Sequence, residues 1–413
     1  MDEIVAFGEI VLAGAAGMAL ALASIRVTER IAVPAPAIFL LLAAAASDLF
    51  PRLAGVSIEA VERVGVAALI PILFDGGLRI GWRRFRVTSA PIAVLGISGT
   101  FAIAILVALA VHSVVGLNWT TAAILAAALA PTDPAVMFSV LGHRAITGPT
   151  RTILEGEAGV NDPVAIAFAI GVLDYASGHG GVTSAGGEFI VSLLVGLAVG
   201  LGAALLLRKL SPSLTMPTES LETLAALTVA ALIYSVASVA HGSGFLAVFI
   251  AGVALGDSHV ARRPELVRSL TSVAALAEVV VFVALGLTIH LGDFADGSLW
   301  RDGFAIAAIL LVARPLVVGA LLTRTRLSLG ERAFLAWGGL KGAVPILLAT
   351  FAVLEGVGDA GRIYNLVFFV VMFSVLVQGT TITAVARRCG VPVSEPVDGR
   401  QQPAVPAEPA EVS

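Results

Sequence analysis

The chain has 413 residues, of which 58% are hydrophobic and 13% are charged, with a formal net charge of -4. Soluble domains carry about 25% charged residues, so this composition predicts an integral membrane protein, and we expect no nucleic-acid partner. One cysteine, Cys389, excludes an intrachain disulfide. The first ten residues contain acids and no base, which argues against a cleaved signal peptide.

Apolar stretches that could cross a bilayer recur along the chain. A spanning helix needs about 20 predominantly apolar residues, and by this criterion the sequence predicts an all-α integral membrane protein with about thirteen transmembrane helices. The predicted helices 1 to 13 cover residues 4–25, 31–50, 58–79, 88–114, 119–140, 151–176, 186–210, 219–240, 243–257, 270–292, 300–323, 331–354 and 361–387.

The basic residues are distributed unevenly between the loops on the two sides of this predicted bundle. Nineteen of the 25 lysines and arginines fall in one of the two alternating sets of loops, four fall in the other, and two lie inside helices. Lys and Arg favour cytoplasmic loops. We therefore expect a multi-pass protein of the cell inner (plasma) membrane, with its N-terminus outside and its C-terminus in the cytoplasm.

The composition changes near the C-terminus. Residues 1–390 are expected to form the membrane domain, whereas 391–413 are rich in proline and polar residues. That composition predicts a disordered cytoplasmic tail.

Four ionisable residues fall near the middle of predicted helices: Asp133 in helix 5, Asp162 in helix 6, Arg314 in helix 11 and Lys341 in helix 12. A charge at the bilayer centre costs about 2.5–3.5 kcal/mol on insertion scales. Side chains kept at that depth despite this cost indicate a functional site.

Two of these helices are interrupted by residues that break helical hydrogen bonding. Predicted helix 5 contains LAPTDPAVM at 129–137, with Pro131 and Pro134 flanking Asp133, and predicted helix 12 contains WGGLKGAVPI at 337–346. The interruptions lie seven helices apart. Because seven is odd, the two interrupted helices cross the membrane in opposite directions. We therefore expect helices 1–6 and 8–13 to form inverted repeats whose broken helices cross at the midplane.

A crossing of broken helices brings together two positive and two negative half-helix ends. Asp133 suits the positive ends, and Lys341 or Arg314 suits the negative ends. In the simpler alternative, the two prolines only kink helix 5 and Asp133 pairs with a neighbour. The mirrored interruption in helix 12 favours the crossing.

Predicted helix 6 contains the sequence EGEAGVNDPVAI at 155–166. Pro163 cannot donate to the carbonyl four positions earlier, so oxygen acceptors are available near Asp162. Glu155 lies seven positions before Asp162 on the same helical face, whereas Glu157 lies four before Asn161. The alternative for a buried aspartate is a structural ion pair, but the Asn-Asp-Pro context favours an ion site.

Six motifs occur in an order and spacing that resemble monovalent cation:proton antiporters of the NhaP and sodium/proton exchanger type. They are APTDP, EGEAGVNDPVAI, GSGFLAVFIAGVALG, FVALGL, WGGLKGAVPI and FSVLVQGTT. LFDGGLR and LKGAVPI resemble the potassium/proton branch of this family, while the overall pattern fits sodium/proton exchangers equally well. The resemblance implies an elevator-type homodimer, in which a core of helices 4–6 and 11–13 moves against a scaffold of helices 1–3 and 7–10.

The resemblance also implies roles for individual residues. Asp162 would bind proton and cation alternately, Thr132 would offer a backbone carbonyl, and Asp133 would hold the crossing and a bridging water at the cation site. Asn161 would steady the crossing, while Glu157 would pair with Arg314.

Asp75 of LFDGGLR matches an acidic ligand position, although an ion pair with Arg79 is the alternative. Two departures from the family pattern are Ala158, where relatives can offer a hydroxyl, and Lys341, where arginine is commoner. For Glu278 a structural partner is favoured over a ligand role, and for His241 an exposed, uninvolved position is favoured.

These observations predict a secondary antiporter that exchanges Na+ or K+ for H+ in pH and cation homeostasis, with no enzymatic activity and no cofactor. The Asn161-Asp162 pair, in place of two aspartates, implies by resemblance an electroneutral exchange. A passive cation channel is one alternative. An intramembrane aspartyl protease using Asp133 and Asp162 as a dyad is more remote, because the Gly-x-Gly-Asp and Tyr-Asp signatures are absent at these positions.

Overall fold

The structure is a computed structural model that describes residues 33–50, 55–133, 136–137, 146, 148–176, 182–210, 216–258 and 264–393. Predicted helix 1, Pro134 and residues 394–413 lie outside these ranges. Within them the chain is helical, and its one β-bridge joins Ile146 to Val393. The helical prediction is confirmed for this part of the chain.

The α-helices of the described ranges follow the predicted order. They are α1 (Ala35–Leu49), α2 (Ile58–Ala93), α3 (Thr100–Ala110), α4 (Trp119–Leu129), α5 (Pro149–Ala176), α6 (Val182–Leu210), α7 (Glu219–Val239), α8 (Gly244–Leu255), α9 (Pro264–Leu287), α10 (Gly297–Leu321), α11 (Leu329–Trp337), α12 (Ala343–Leu354), α13 (Ala360–Phe373) and α14 (Thr380–Arg388). Three π-helical segments continue these helices at Val94–Gly99, Val111–Val115 and Ser374–Gly379, and a 3-10 turn covers Leu291–Ala295.

Seven helical runs in the described ranges are long and apolar enough to cross a membrane, and four more are apolar but shorter. One run, Ile58–Val115, is 58 residues long. At a rise of about 1.5 Å per residue it would extend roughly 87 Å, nearly three times a hydrocarbon core of ~30 Å. The count of thirteen helices is not tested by these lengths and stays a prediction.

A single residue, Gly81, divides this long run. Its φ of 68° and ψ of 157° place it in the region that favours glycine. The carboxylate of Asp257 accepts a hydrogen bond of 2.6 Å from the Arg83 amide just beyond the bend, as an N-cap would. Predicted helices 3 and 4 are therefore separated by a bend at one residue and not by the linker expected at 80–87.

Helix α8 lies at the centre of the packing. All twelve of its residues are buried, and it is packed against α2 and α6 through glycines. At Gly77 of α2, a Cβ atom would lie 2.5 Å from the Phe249 carbonyl oxygen. The short, wholly apolar α8 can be buried on every side because glycines let neighbouring backbones approach it.

Both predicted interruptions are present. Helix α4 ends at Leu129 and residues 131–133 are not helical, while α11 ends at Trp337 and α12 begins only at Ala343. Predicted helix 12 is therefore two short helices joined by residues 338–342, which we call the second interruption. Residues 130–133 form the first interruption.

Residues 391–393, the first of the predicted tail, pack against the helices. Gly390 adopts a φ of 65° after α14, and the Val391 amide then donates to the Ala386 carbonyl oxygen over 3.0 Å. This left-handed helix terminus turns Val391 onto the core, where 4% of it is exposed. Apolar packing therefore continues past the composition change at residue 391.

Candidate ion-binding site at the two interruptions

The two interruptions contact each other through backbone and side-chain hydrogen bonds. The Asp133 amide donates to the Leu340 carbonyl oxygen over 2.8 Å. The Lys341 ammonium group donates to the carbonyl oxygens of Ala130 and Pro131, at 3.1 and 2.8 Å. Carbonyls at the end of α4 have no partner within that helix, so the buried lysine compensates its negative end.

Asp133 lies at the beginning of α12. Gly342 is the N-cap residue of that helix and provides no side-chain cap. A Cβ atom at Gly342 would lie 1.9 Å from Asp133 Oδ2, so the carboxylate packs directly on this glycine. Asp133 is thus beside a positive helix end, the position that the sequence predicted for it.

Asn161 connects α5 to the first interruption. Its side-chain amide donates to the Thr132 hydroxyl over 2.8 Å, and both residues are buried. Pro163 lies inside α5 without ending the helix. The bond uses the Thr132 hydroxyl and not its backbone carbonyl, and it joins α5 to the first interruption.

Asp162 follows Asn161 on α5 and is 7% exposed. Its Oδ1 atom is buried and makes no hydrogen bond to any residue that the structure describes. Asp133 and Lys341 are its charged neighbours. A buried carboxylate oxygen without a partner is costly, so this atom is suited to take up a proton or a cation.

Glu157 and Arg314 form the buried ion pair that the resemblance implied. The guanidinium donates to both carboxylate oxygens, at 2.8 and 3.1 Å, and also to the Leu335 carbonyl oxygen near the end of α11, at 3.1 Å. A Cβ atom at Gly339 would lie 1.8 Å from Arg314 Nε. Arg314 therefore fixes the α11 side of the second interruption as well as α5.

Asp75 is engaged in the ion pair named as the alternative to a ligand role. Its carboxylate lies 2.6 Å from an Arg79 guanidinium nitrogen and accepts a 3.0 Å hydrogen bond from the Thr271 hydroxyl of α9. Glu278, also on α9, is half-buried, with Asp133 and Arg79 as charged neighbours. His241 is exposed after α7, as expected.

The geometry brings a buried acid, two helix interruptions and two buried cations into one site. A sequence profile described as "Sodium/hydrogen exchanger, transmembrane" matches residues 15–388. The chain belongs to the sodium/hydrogen exchanger family.

The relatives of this chain include proteins named as potassium/proton antiporters and a protein named as a sodium/proton antiporter. The chain is 34% identical over 371 residues to "K(+)/H(+) antiporter NhaP" of Alkalimonas amylolytica, which covers 87% of this chain and 63% of that protein. It is 28% identical over 342 residues to "Na(+)/H(+) antiporter ApNhaP" of Aphanothece halophytica, covering 78% and 64%. The chain thus spans less than two thirds of the length of these relatives.

The fold has solved counterparts. The sodium proton antiporter MjNhaP1 from Methanocaldococcus jannaschii superimposes with a TM-score of 0.73 at 24% identity, covering 92% of this chain and 100% of that one. This likeness establishes the fold.

The sequence analysis gave no individual role to two polar residues of the FSVLVQGTT motif, Ser374 and Gln378. In this exchanger-family chain they lie in the π-helical segment that follows α13, where Ser374 contacts the second interruption and Gln378 contacts the end of α11. A serine and a glutamine four residues apart in an otherwise apolar helix were the available signal, since such residues seek buried polar partners.

Proposed function

We propose that this protein is a monovalent cation:proton antiporter in which Asp162 binds a proton and a cation in turn. The observation that carries the proposal is the buried Asp162 Oδ1 atom, which has no hydrogen-bond partner among the described residues. Membership of the exchanger family supports transport and opposes the protease alternative.

The coupling follows from competition for one carboxylate. Burial favours the neutral form of an acid, and a bound cation favours the charged form. Proton and cation therefore exclude each other at Asp162. Deprotonated Asp162 and the Thr132 carbonyl would replace part of the hydration shell of Na+ or K+, as carbonyls do in ion filters.

Asp75 is left out of the proposed ligand set. Arg79 and Thr271 engage its two carboxylate oxygens, so coordination of a cation would require that ion pair to break. We propose that Asp75 supports the packing of α2 against α9.

The transport unit is proposed to be an elevator-type core of predicted helices 4–6 and 11–13 moving against the remaining helices in a homodimer. Side-chain bonds support this grouping, because they connect predicted helices 5, 6, 11, 12 and 13 at the site. A core joined this tightly would move as one body. Asp162 would hold either one proton or one monovalent cation. Exchanging one for the other moves no net charge, which supports electroneutral exchange.

The proposed topology has thirteen spans, inverted repeats, an outside N-terminus and a cytoplasmic C-terminus in the inner membrane. The two interruptions support inverted repeats. In each proposed repeat, the next helix along the chain contacts the interrupted helix. Asn161 contacts the first interruption and Ser374 contacts the second.

Everted membrane vesicles provide the test. With an imposed pH gradient, adding Na+, K+ or Li+ should collapse the gradient for the native protein but not for Asp162→Asn. Asp174→Asn makes the same change near the C-terminal end of α5 and should behave like the native chain. Gradient collapse by Asp162→Asn would refute the site, and no response of the native protein to any of the three ions would refute antiport.

The passive channel predicts a different result in the same vesicles. A channel would carry cations down an imposed voltage without moving protons. Cation flux that depends on voltage and leaves the internal pH unchanged would therefore replace the antiporter proposal with the channel.

A further inference from the structure

The π-helical segment Ser374–Gly379 places two polar side chains against the second interruption. We infer that Ser374 and Gln378 are positioning residues, which hold residues 338–342 in register with Asp133 and Asp162 and so set cation affinity. The inference rests on the proposed function for its effect on transport, although its structural part can be tested without transport.

The contacts form a continuous chain across the interruption. The Lys341 amide donates to Ser374 Oγ over 3.0 Å, and the Ser374 hydroxyl donates to Gln378 Oε1 over 2.6 Å. The Gln378 amide then donates to the Trp337 carbonyl oxygen over 3.2 Å. Two side chains thus satisfy one backbone group on each side of the break.

These backbone groups need partners because the helices end there. Trp337 is the last residue of α11, and Lys341 lies two residues before α12 begins. Helix ends leave carbonyls and amides without intrahelical partners, and lipid offers them none. Ser374 and Gln378 are 2% and 7% exposed, so protein supplies these bonds at a buried position.

The same side chains are linked to the proposed ion site through Lys341. The Ser374 hydroxyl accepts a hydrogen bond from the Lys341 backbone amide, and the Lys341 ammonium group donates to the carbonyls of the first interruption. The carbonyl oxygen of the preceding residue, Leu340, accepts a hydrogen bond from the Asp133 amide. A displacement of residues 340–341 would therefore move both Asp133 and the positive charge near Asp162.

The neighbouring Thr380 differs from this pair. In the part of the chain that the structure describes, its hydroxyl donates to the carbonyl oxygens of Leu376 and Val377 one turn earlier, whereas Thr381 also accepts a hydrogen bond from Trp337 Nε1 over 3.1 Å. Ser374 and Gln378, by contrast, also line a cavity of about 20 Å³ together with Arg314 and Lys341. The π-helical turn, which often marks functional positions, presents the pair to the second interruption.

The test uses the full chain in proteoliposomes, with Ser374→Ala and Gln378→Met as variants and Thr380→Val as the matched control. Loss of one buried hydrogen-bond partner corresponds to about tenfold in an equilibrium. We expect KM for the cation to rise by about that factor, with a smaller change in maximal rate and a shifted pH profile. Thr380→Val should match the native chain.

Amide hydrogen exchange of the peptide covering 338–342 is the second measurement. Both variants should exchange faster there and keep native protection in α8, which reports that the fold is intact. Gln378→Glu keeps the acceptor for Ser374 but loses the donor to Trp337 when ionised, so it provides a folded variant if Ser374→Ala is not recovered. It should lose protection as the pH rises.

The outcomes separate the two proposals. Native KM and pH profile in folded Ser374→Ala and Gln378→Met, or unchanged exchange at 338–342, would overturn the positioning role. A native protein that transports none of the three cations would overturn the antiport proposal, while the exchange data would still decide whether this pair holds the interruption.

Discussion

Lys341 donates its ammonium group to the carbonyl oxygen of Pro131 over 2.8 Å, between positions 210 residues apart in the chain. The lysine is 3% exposed. A single flexible side chain therefore connects the two interruptions, at a place where the helix ends of α4 and α12 leave backbone groups of opposite polarity.

Lys341→Met should abolish cation-dependent collapse of a pH gradient, because the α4 carbonyls lose their donor and Asp162 loses a positive neighbour. A buried acceptor left without its partner costs about 1–3 kcal/mol, so the thermal unfolding temperature in detergent should fall as well. Lys341→Arg should retain more activity than Lys341→Met. Lys209→Met, at the exposed end of α6, is the control, and equal losses in the two methionine variants would contradict this role.

Glu157→Gln should destabilise the protein strongly, because it leaves the buried Arg314 guanidinium without its counter-charge. The expected loss is about 3–5 kcal/mol in the free energy of unfolding. The exposed pair of Glu59 and Arg63 provides the comparison, since Glu59→Gln should change stability by no more than about 1 kcal/mol. Denaturation in detergent measures both, and a similar small effect for Glu157→Gln would show that the buried pair is dispensable.

Gly342→Ala should impair transport without a charge change. The added Cβ atom would lie 1.9 Å from Asp133 Oδ2, so the carboxylate must leave the start of α12. Gly361→Ala adds the same atom in α13, where nothing lies within 4 Å, and should have native activity. Cation-dependent pH-gradient collapse compares the two, and native activity in Gly342→Ala would contradict the placement of Asp133.

Asp75→Asn distinguishes a structural role of Asp75 from a role as a cation ligand. If Asp75 acts through its pair with Arg79 and its bond from Thr271, the variant should keep the native KM for the cation and lose stability. The Arg79 side chain is 39% exposed, so solvent screening limits that loss to about 1 kcal/mol. A large rise in KM with unchanged stability would instead make Asp75 a cation ligand.

Asp296 should contribute pH-dependent stability outside the spanning helices. The Ser298 hydroxyl and then the Ser298 amide lower the pKa of Asp296, which N-caps α10. A lowered folded pKa means that the contribution is complete above the unfolded pKa of about 3.9 and is lost as pH falls through the folded value. Unfolding midpoints of the native chain and Asp296→Asn should therefore converge in acid, and a constant difference would contradict the assignment.

Much of the site followed from local chemistry in the sequence. Glycine and proline cannot sustain a helix in WGGLKGAVPI, and the second interruption falls at 338–342 as predicted. The pairing of Glu157 with Arg314 followed from family motifs. The partner of Asp75 was named only as one of two alternatives, because a spacing of four residues permits an ion pair but does not exclude a ligand.

Other features depend on contacts that local sequence does not encode. Ser374 meets Lys341 only after α13 packs against the second interruption, 33 positions away in the chain. The bend at Gly81 depends on close approach by Gly256 and Asp257. Val391 packs onto the core because Gly390 turns the chain there, a contact that composition alone does not indicate.

The contact between Lys341 and Pro131 also sets an order of events during synthesis. A ribosome adds about 5–20 residues per second, so roughly 10–40 s separate the two residues during translation. Throughout that interval the first interruption is present without the lysine that binds its carbonyls. Until Lys341 is synthesised, the carbonyls of Ala130 and Pro131 need other hydrogen-bond donors, such as water.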